Sequence, residues 1–338
     1  MIHPIPSGTR DVLPQETGEV RAITDTLRAV FDRHGFGEIY TPALEYESVL
    51  ARADLDEARP AYRVFDETGA VLVLRSDMTV PIARVVATRY AESPVPLRFC
   101  YFAHTYRGVR PQRGQLREML QAGIELIGSA APDGTAEALT LLAAALDAVG
   151  LKDFRIGLGD ASLFPALMES LRVDEAARAG LLEALVRRDF VELELRLAEA
   201  GVGGEAAELL LDVPQRRGGP ELLTDAPAPA VDAVTGMRRV HELLAPDVAE
   251  RVIFDLGLVR NIGYYTGAVF EVYDPALGAP IGGGGRYDDL LGRFGRPLPA
   301  VGFALFVDSV HQALAGEERG TGVALAGSLS TTAAGGAR

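Results

Sequence analysis

The arginines Arg107, Arg110, Arg113 and Arg117 crowd one short stretch of a chain whose formal net charge is -14. Clustered guanidinium groups suit carboxylate or phosphate recognition, because their planar forks match paired oxygens. Just after them, Arg117, Gln121, Gly123 and Glu125 alternate with Leu120, Ala122, Ile124 and Leu126. That is the period of a strand with one polar and one apolar face. An amide and an acid on one face can meet a cation, and Gly123 leaves space for a ligand or a neighbouring backbone. An antiparallel sheet with one face in water gives the same alternation, so the pattern by itself fits a site and a solvated face equally.

Two later stretches carry similar chemistry. In FDLGLVRNIGYYTGAVFEVY, Arg260 sits between apolar runs and Tyr264-Tyr265 precede a strand pattern. A buried guanidinium needs an anion; a bound carboxylate and a structural acid would both serve, and the structural acid is the commoner case. In IGGGGRYDDLLGRFG, Gly282 to Gly285 follow an apolar strand and allow close approach of backbone or ligand, and Asp288 and Asp289 favour a helix start.

These side chains need a scaffold, and the pattern supplies one. Residues 98–106 and 119–127 read as two strands joined by a Gly- and Pro-bearing connection. Gln15 to His34 reads as a helix with Val20, Ile23, Leu27, Val30 and Phe31 on one face and Gly35 as its stop. Phe36 to Thr41 reads as a strand, and residues 62–66 and 71–74 as a hairpin turning at Thr68-Gly69. The loop RSDMT, 75–79, leads into a helix with Pro81 in its first turn. Asp133 to Val149 reads as a helix ended by Gly150. GLGDAS after residue 156 faintly resembles a dinucleotide loop, but Ser162 stands where the third glycine belongs, and a strand-to-helix turn capped by Asp160 or Ser162 explains it better. Residues of about 171–248 are rich in Ala, Leu, Glu and Arg and read as an inserted set of short helices. Residues 316–338 are rich in Gly, Ala, Ser and Thr and read as a flexible tail.

Composition excludes several classes. A pI of about 4.9 argues against a general nucleic-acid surface. Cys100 is the single cysteine, so an intramolecular disulfide is impossible and a reducing, cytoplasmic setting is expected. The start has no charged segment followed by an apolar one, and no run of about 18 apolar residues predicts a membrane span. Lys152 is the only lysine, so no Walker A loop exists. The histidines are scattered, and His241-Glu242 lacks the second histidine of a zincin motif because position 245 is Ala245; no metal and no cofactor is expected.

Taken together and in order, the pieces from PSGTRDVLP to GFALFVDSV resemble the catalytic core of a class II aminoacyl-tRNA synthetase, most closely histidyl-tRNA synthetase. The helix through His34 with the following strand is similar to the dimer-forming first motif, and Arg107 to Gln121 to the second. LVRNIGYYTG and GGGGRYD match the two histidine-specific signatures. The resemblance implies an α+β fold: an antiparallel sheet flanked by helices, in a core of residues 1–315 interrupted by the insertion. It also implies a histidine pocket. Asp77 and Thr79 would hold the ammonium group with help from Gln121; Glu125 and Tyr265, with Tyr264 nearby, would surround the imidazole; Arg260 would face the carboxylate. Arg107, the second-motif arginine, completes the expected set.

The departures from the family pattern concern nucleotide and tRNA. Val109 stands where the second motif has an acid, and Gln115 where it has an arginine. Asp308 and Ser309 stand where the third motif ends in an acid and an arginine, and Gly263 replaces an acid before the tyrosine pair. No anticodon-binding domain is expected after Val310. A kept amino-acid pocket with damaged ATP and tRNA apparatus resembles the regulatory subunit of ATP phosphoribosyltransferase. That family implies a non-catalytic role in histidine biosynthesis, a short-form catalytic subunit as partner, self-association as a dimer, histidine as a ligand, and no tRNA. The competing expectations are a truncated synthetase paralogue that activates an amino acid, and a binding module with no surviving site.

Overall fold

The computed structural model describes residues 5–53, 61–108, 116–224, 228–260 and 263–320. In chain order the strands are β1 Gly37–Glu38, β2 Leu44–Tyr46, β3 Arg63–Phe65, β4 Val71–Leu74, β5 Leu97–Tyr106, β6 Glu118–Ile127, β7 Arg155–Asp160, β8 Arg217–Gly218, β9 Val252–Asp255, β10 Ala268–Tyr273, β11 Gly282–Arg286 and β12 Ala300–Phe306. The helices are α1 Pro14–Arg33, α2 Glu47–Ala51, α3 Thr79–Arg89, α4 Asp133–Val149, α5 Leu163–Ser170, α6 Glu175–Val186, α7 Phe190–Glu199, α8 Glu205–Asp212, α9 Val231–Glu242, α10 Pro246–Ala249, α11 Leu290–Arg293 and α12 Val307–Glu318.

Among the described residues, nine strands form one sheet in the order β1-β5-β6-β12-β11-β10-β7-β9-β8, and β2-β4-β3 form a small second sheet. The large sheet is antiparallel except where β1 meets β5 and β7 meets β9. One of its faces is covered by α1, α4 and α12. Leu27, Phe31, Ala122, Ile124, Leu126, Leu139, Leu142, Phe303 and Leu305 are fully or almost fully buried there. The apolar alternation of β6 therefore points inward as the sequence implies. Each buried Leu or Phe contributes roughly 1.5–3 kcal/mol by leaving water.

The other face carries a valley cut by small residues. Register places Tyr101, Gly123, Ala304, Gly283, Glu271, Gly157 and Ile253 in one row across β5, β6, β12, β11, β10, β7 and β9. The next row is Phe99, Glu125, Gly302, Gly285, Val269 and Gly159. Glycines in adjacent strands lower the floor of the sheet, and long side chains from neighbouring strands lie across them.

Several sequence expectations change in detail. The four glycines after Ile281 are not a segment following a strand: Gly282–Arg286 is the strand β11, buried throughout in the middle of the sheet. Glycine is poor at forming strands alone, and here the flanking strands β10 and β12 impose the extended form. The strand expected at 36–41 shortens to Gly37–Glu38, with Ile39 N–H adding one bond to Cys100 O at 2.8 Å. Gly157 and Gly159 lie within β7, so they form no phosphate-binding turn; Asp160 instead accepts the Ser162 N–H at 2.9 Å. Helix α12 runs to Glu318, past the expected start of the tail at 316. Buried Gly316 belongs to its packed face. Residues 321–338 lie outside the described residues, as do Val109, Arg110, Arg113 and Gln115. Between β7 and β9 the chain forms α5 to α10 together with β8, which pairs with β9 at the sheet edge.

Candidate functional site

Every candidate side chain chosen from the sequence lines one hollow: Asp77, Thr79, Arg107, Gln121, Glu125, Arg260, Tyr264 and Tyr265. Its space is about 480 Å³, mouth included. The elements that deliver them are far apart in sequence. Gln121 and Glu125 project from β6, Arg107 follows β5, Asp77 and Thr79 stand at the entry of α3, and Arg260 with the tyrosines precedes β10.

The valley glycines explain how these groups fit. A Cβ at Gly302 would collide with the Glu125 carboxylate, and one at Gly283 with the Arg260 guanidinium. At Gly285 it would stand 2.9 Å from the Tyr265 ring. At Gly123 it would stand 2.5 Å from the Tyr101 hydroxyl. The space at Gly123 is therefore taken by the Phe303 backbone carbonyl and the Tyr101 ring, the close backbone approach and not the ligand of the two readings of that glycine.

Glu125 is the centre of the polar network. Thr79 Oγ1 donates to its Oε1 at 2.7 Å, and the Tyr287 hydroxyl donates to its Oε2. Burial pushes the Glu125 carboxyl up to about 8, against the lowering effect of those two donors and with the Asp77 charge pushing the same way. Burial likewise raises Tyr101 and Tyr287 well above the usual phenol range, so both remain hydroxyl donors at neutral pH. Asp77 accepts the Val80 N–H at 3.1 Å, which fixes it at the start of α3. Arg260 donates to Phe270 O at 3.2 Å, lies 3.8 Å from the Glu271 carboxylate and faces the Tyr265 ring at 5.9 Å. The structural acid considered for Arg260 thus exists, but at a distance that leaves the guanidinium available to a second anion. Tyr264 packs edge-on against Tyr265 and Tyr287, with centroids 5.3 and 5.7 Å apart.

The arginine cluster is divided. Arg107 reaches the hollow, whereas the side chain of Arg117 lies against Gly8 of the lead-in segment. Sequence reasoning missed three contributors. Tyr287 stands in the GGGGRYD stretch without an assigned role, although it contacts Glu125 directly. Tyr101 opposes Gly123 across the hairpin, a pairing readable once the β5–β6 register is known. Arg75 of the RSDMT loop is 4% exposed and donates to Thr41 O at 2.6 Å and His104 O at 2.9 Å, tying that loop to β5. Of the third-motif pair, Asp308 is held by Arg10 and cannot serve as a free anion. Among the described residues no cluster of His, Cys, Asp and Glu could hold a metal. No helix there is long and apolar enough to cross a membrane.

The perturbed carboxyl gives a stability prediction. A carboxyl raised from about 4.5 to about 8 favours the folded state at low pH, and the benefit is lost as pH rises through that window. Glu125→Gln is therefore expected to raise the unfolding temperature at pH 8.5 and to leave it almost unchanged at pH 4.5, as thermal melts at the two pH values would read. An equal shift at both would contradict a buried, reluctantly ionised Glu125.

A large, mostly antiparallel sheet flanked by helices, with a glycine-floored hollow on one face, is the architecture of the class II aminoacyl-tRNA synthetase core. The histidyl-tRNA synthetase family model matches residues 8–310. A relative from Symbiobacterium thermophilum, named ATP phosphoribosyltransferase regulatory subunit, is 44% identical over 91% of this chain and 79% of its own length. One of the same name from Desulforamulus reducens is 40% identical over 91% and 78%. A solved structure from Bacillus halodurans, described as an ATP phosphoribosyltransferase regulatory subunit/histidyl-tRNA synthetase, superposes with a TM-score of 0.83 at 32% identity, covering 93% of this chain and 84% of that one. The chain belongs to the family of ATP phosphoribosyltransferase regulatory subunits, built on the histidyl-tRNA synthetase core.

Proposed function

We propose that this chain is the non-catalytic regulatory subunit of an ATP phosphoribosyltransferase, required for the first step of histidine biosynthesis, and that its hollow binds histidine as a feedback signal. The observation that carries the ligand reading is the convergence of Asp77, Thr79, Gln121, Glu125, Arg107 and Arg260 on one small cavity. Acids and amides on one side suit an ammonium group, and a guanidinium suits a carboxylate. Glu125, protonated through most of the neutral range, can pass its proton to an entering imidazole and become the partner of the resulting cation. Tyr264 and Tyr265 supply flat walls for the ring.

The partner in this reading is the short-form catalytic subunit, with self-association through the α1 and β1 region. Histidine would order the Arg260 loop and the β5–β6 hairpin by favouring one member of an existing equilibrium, and the catalytic subunit would sense that shift at the interface. The loss of a phosphate-binding arginine at Ser309 argues against amino-acid activation; one such contact is worth on the order of 10² to 10³ in rate. Two measurements test the reading. The chain should co-purify with the short catalytic subunit and raise its turnover, and it should show no histidine-dependent pyrophosphate exchange with ATP. Robust exchange would favour the synthetase-paralogue alternative.

A further inference from the structure

Beyond Glu271, on the same sheet face, lies a second and larger hollow of about 1270 Å³, mouth included. The two are separated by a polar ridge: Arg260 approaches Glu271 from one side, and the Tyr273 hydroxyl donates to Glu271 from the other. Gly157 lowers the floor between Tyr273 and Ile253, and a Cβ there would stand 3.4 Å from the Tyr273 ring.

The walls carry Arg155, Arg188 and Arg217. Arg188 and Arg217 both reach the same oxygen, Oδ2, of buried Asp255, each at 2.8 Å. Arg155 donates to the backbone carbonyls of Phe154 at 3.0 Å and Asp153 at 3.4 Å. The other acid on the wall, Asp274, accepts the Ala276 N–H at 2.8 Å and lies beside Glu317 of α12. The lining thus carries three guanidinium groups and two carboxylates, Asp255 and Asp274, a local excess of one positive charge on a chain of formal net charge -14. Such an excess, in a half-open hollow with a tyrosine ring and aliphatic side chains, fits a charged head on a flat apolar body.

We propose that this hollow binds a small organic anion, with phosphate or carboxylate oxygens on Arg155 and on the outer faces of Arg188 and Arg217, and a planar apolar part against Tyr273 and Ile253. The site is distinct from the histidine hollow and shares with it only the Glu271 ridge.

Calorimetric titration of the full chain with metal-free ADP, benzene-1,3,5-tricarboxylate, inorganic pyrophosphate and adenosine tests it. One of the first two should bind at least tenfold more tightly than pyrophosphate or adenosine, and which one wins identifies phosphate or carboxylate as the preferred head. Arg155→Met should weaken that binding by tenfold or more while the melting temperature is kept. Should Arg155→Met fail to fold, Ile253→Trp, from a position 36% exposed at the hollow, should block the same binding. Binding that survives both variants, or is lost only in Arg260→Ala, would overturn the proposal, as would a response to an acidic peptide with none to the four probes.

Discussion

Glu125→Gln is expected to weaken histidine binding by roughly 100-fold, and with it the histidine sensitivity of the assembled enzyme, while leaving assembly intact. Truncating one partner of a buried charged pair costs about 2–5 kcal/mol, and each 1.4 kcal/mol is tenfold in affinity. The glutamine keeps the shape and its one oxygen can accept from either Thr79 or Tyr287, but it cannot take the charge that an imidazolium requires. The pH profile separates this mechanism from simple shape recognition. With Glu125 at about 8 in the empty protein and a free imidazole near 6.5, binding between those values moves one proton within the complex and takes up none. Above about pH 8 the carboxyl is already ionised, a proton must be captured from solvent, and affinity should fall with rising pH. Below the imidazole value a proton must be released, and affinity should fall again as pH drops. Isothermal titration across pH 5.5 to 9 in wild type and Glu125→Gln reads both effects. Undiminished binding by the variant would overturn the role given to Glu125, and unchanged histidine sensitivity of the assembled complex would point to a site on the catalytic subunit.

Gly284→Ala should destabilise the fold by about 3 kcal/mol, near the upper end of overpacking costs, whereas Gly18→Ala should stabilise it by about 0.5–1 kcal/mol. The chemistry of the two changes is the same. At Gly284 the added carbon overlaps the Gly302 carbonyl oxygen and stands 2.8 Å from both the Phe303 Cα and the Phe270 ring. Two of those obstacles are backbone of the adjoining strand β12, which cannot rotate away. At Gly18, in the second turn of α1, nothing lies within 4 Å, and the methyl group only reduces the freedom of the unfolded chain. Urea denaturation of the two variants beside wild type reads the difference. A neutral Gly284→Ala would mean that β11 is not clamped between β10 and β12 and that the valley floor can open.

The same contrast marks what a linear reading can reach. Helix α4 runs from Asp133 to Val149, the residues its apolar pattern and Gly150 indicate, because a helix is specified by neighbours three and four positions away. The β3–β4 hairpin turning at Gly69, with its φ of +84°, is legible for the same reason. The candidate side chains were also accessible, since residue type and alternation mark Gln121, Glu125 and Arg260, and the family resemblance adds Asp77 and Thr79. What adjacency cannot convey is which residue of one strand lies beside which residue of another. Gly282 to Gly285 therefore looked like a segment between elements. The insertion hid that β7 and β9, separated by about ninety residues of chain in an order that sequence separation does not encode, pair side by side.

Side-chain chemistry and helix limits were determined by the sequence alone, because each is a property of a residue and its near neighbours. The tertiary structure alone decided that Gly302 yields its space to Glu125, Gly283 to Arg260 and Gly285 to Tyr265, that Tyr287 donates to Glu125, and that a second arginine-lined hollow opens beyond Glu271. Those facts depend on cross-strand register among β6, β12, β11, β10 and β7, and register is fixed when a face of the sheet is buried against the helices, because a slip of one residue would turn that face outward.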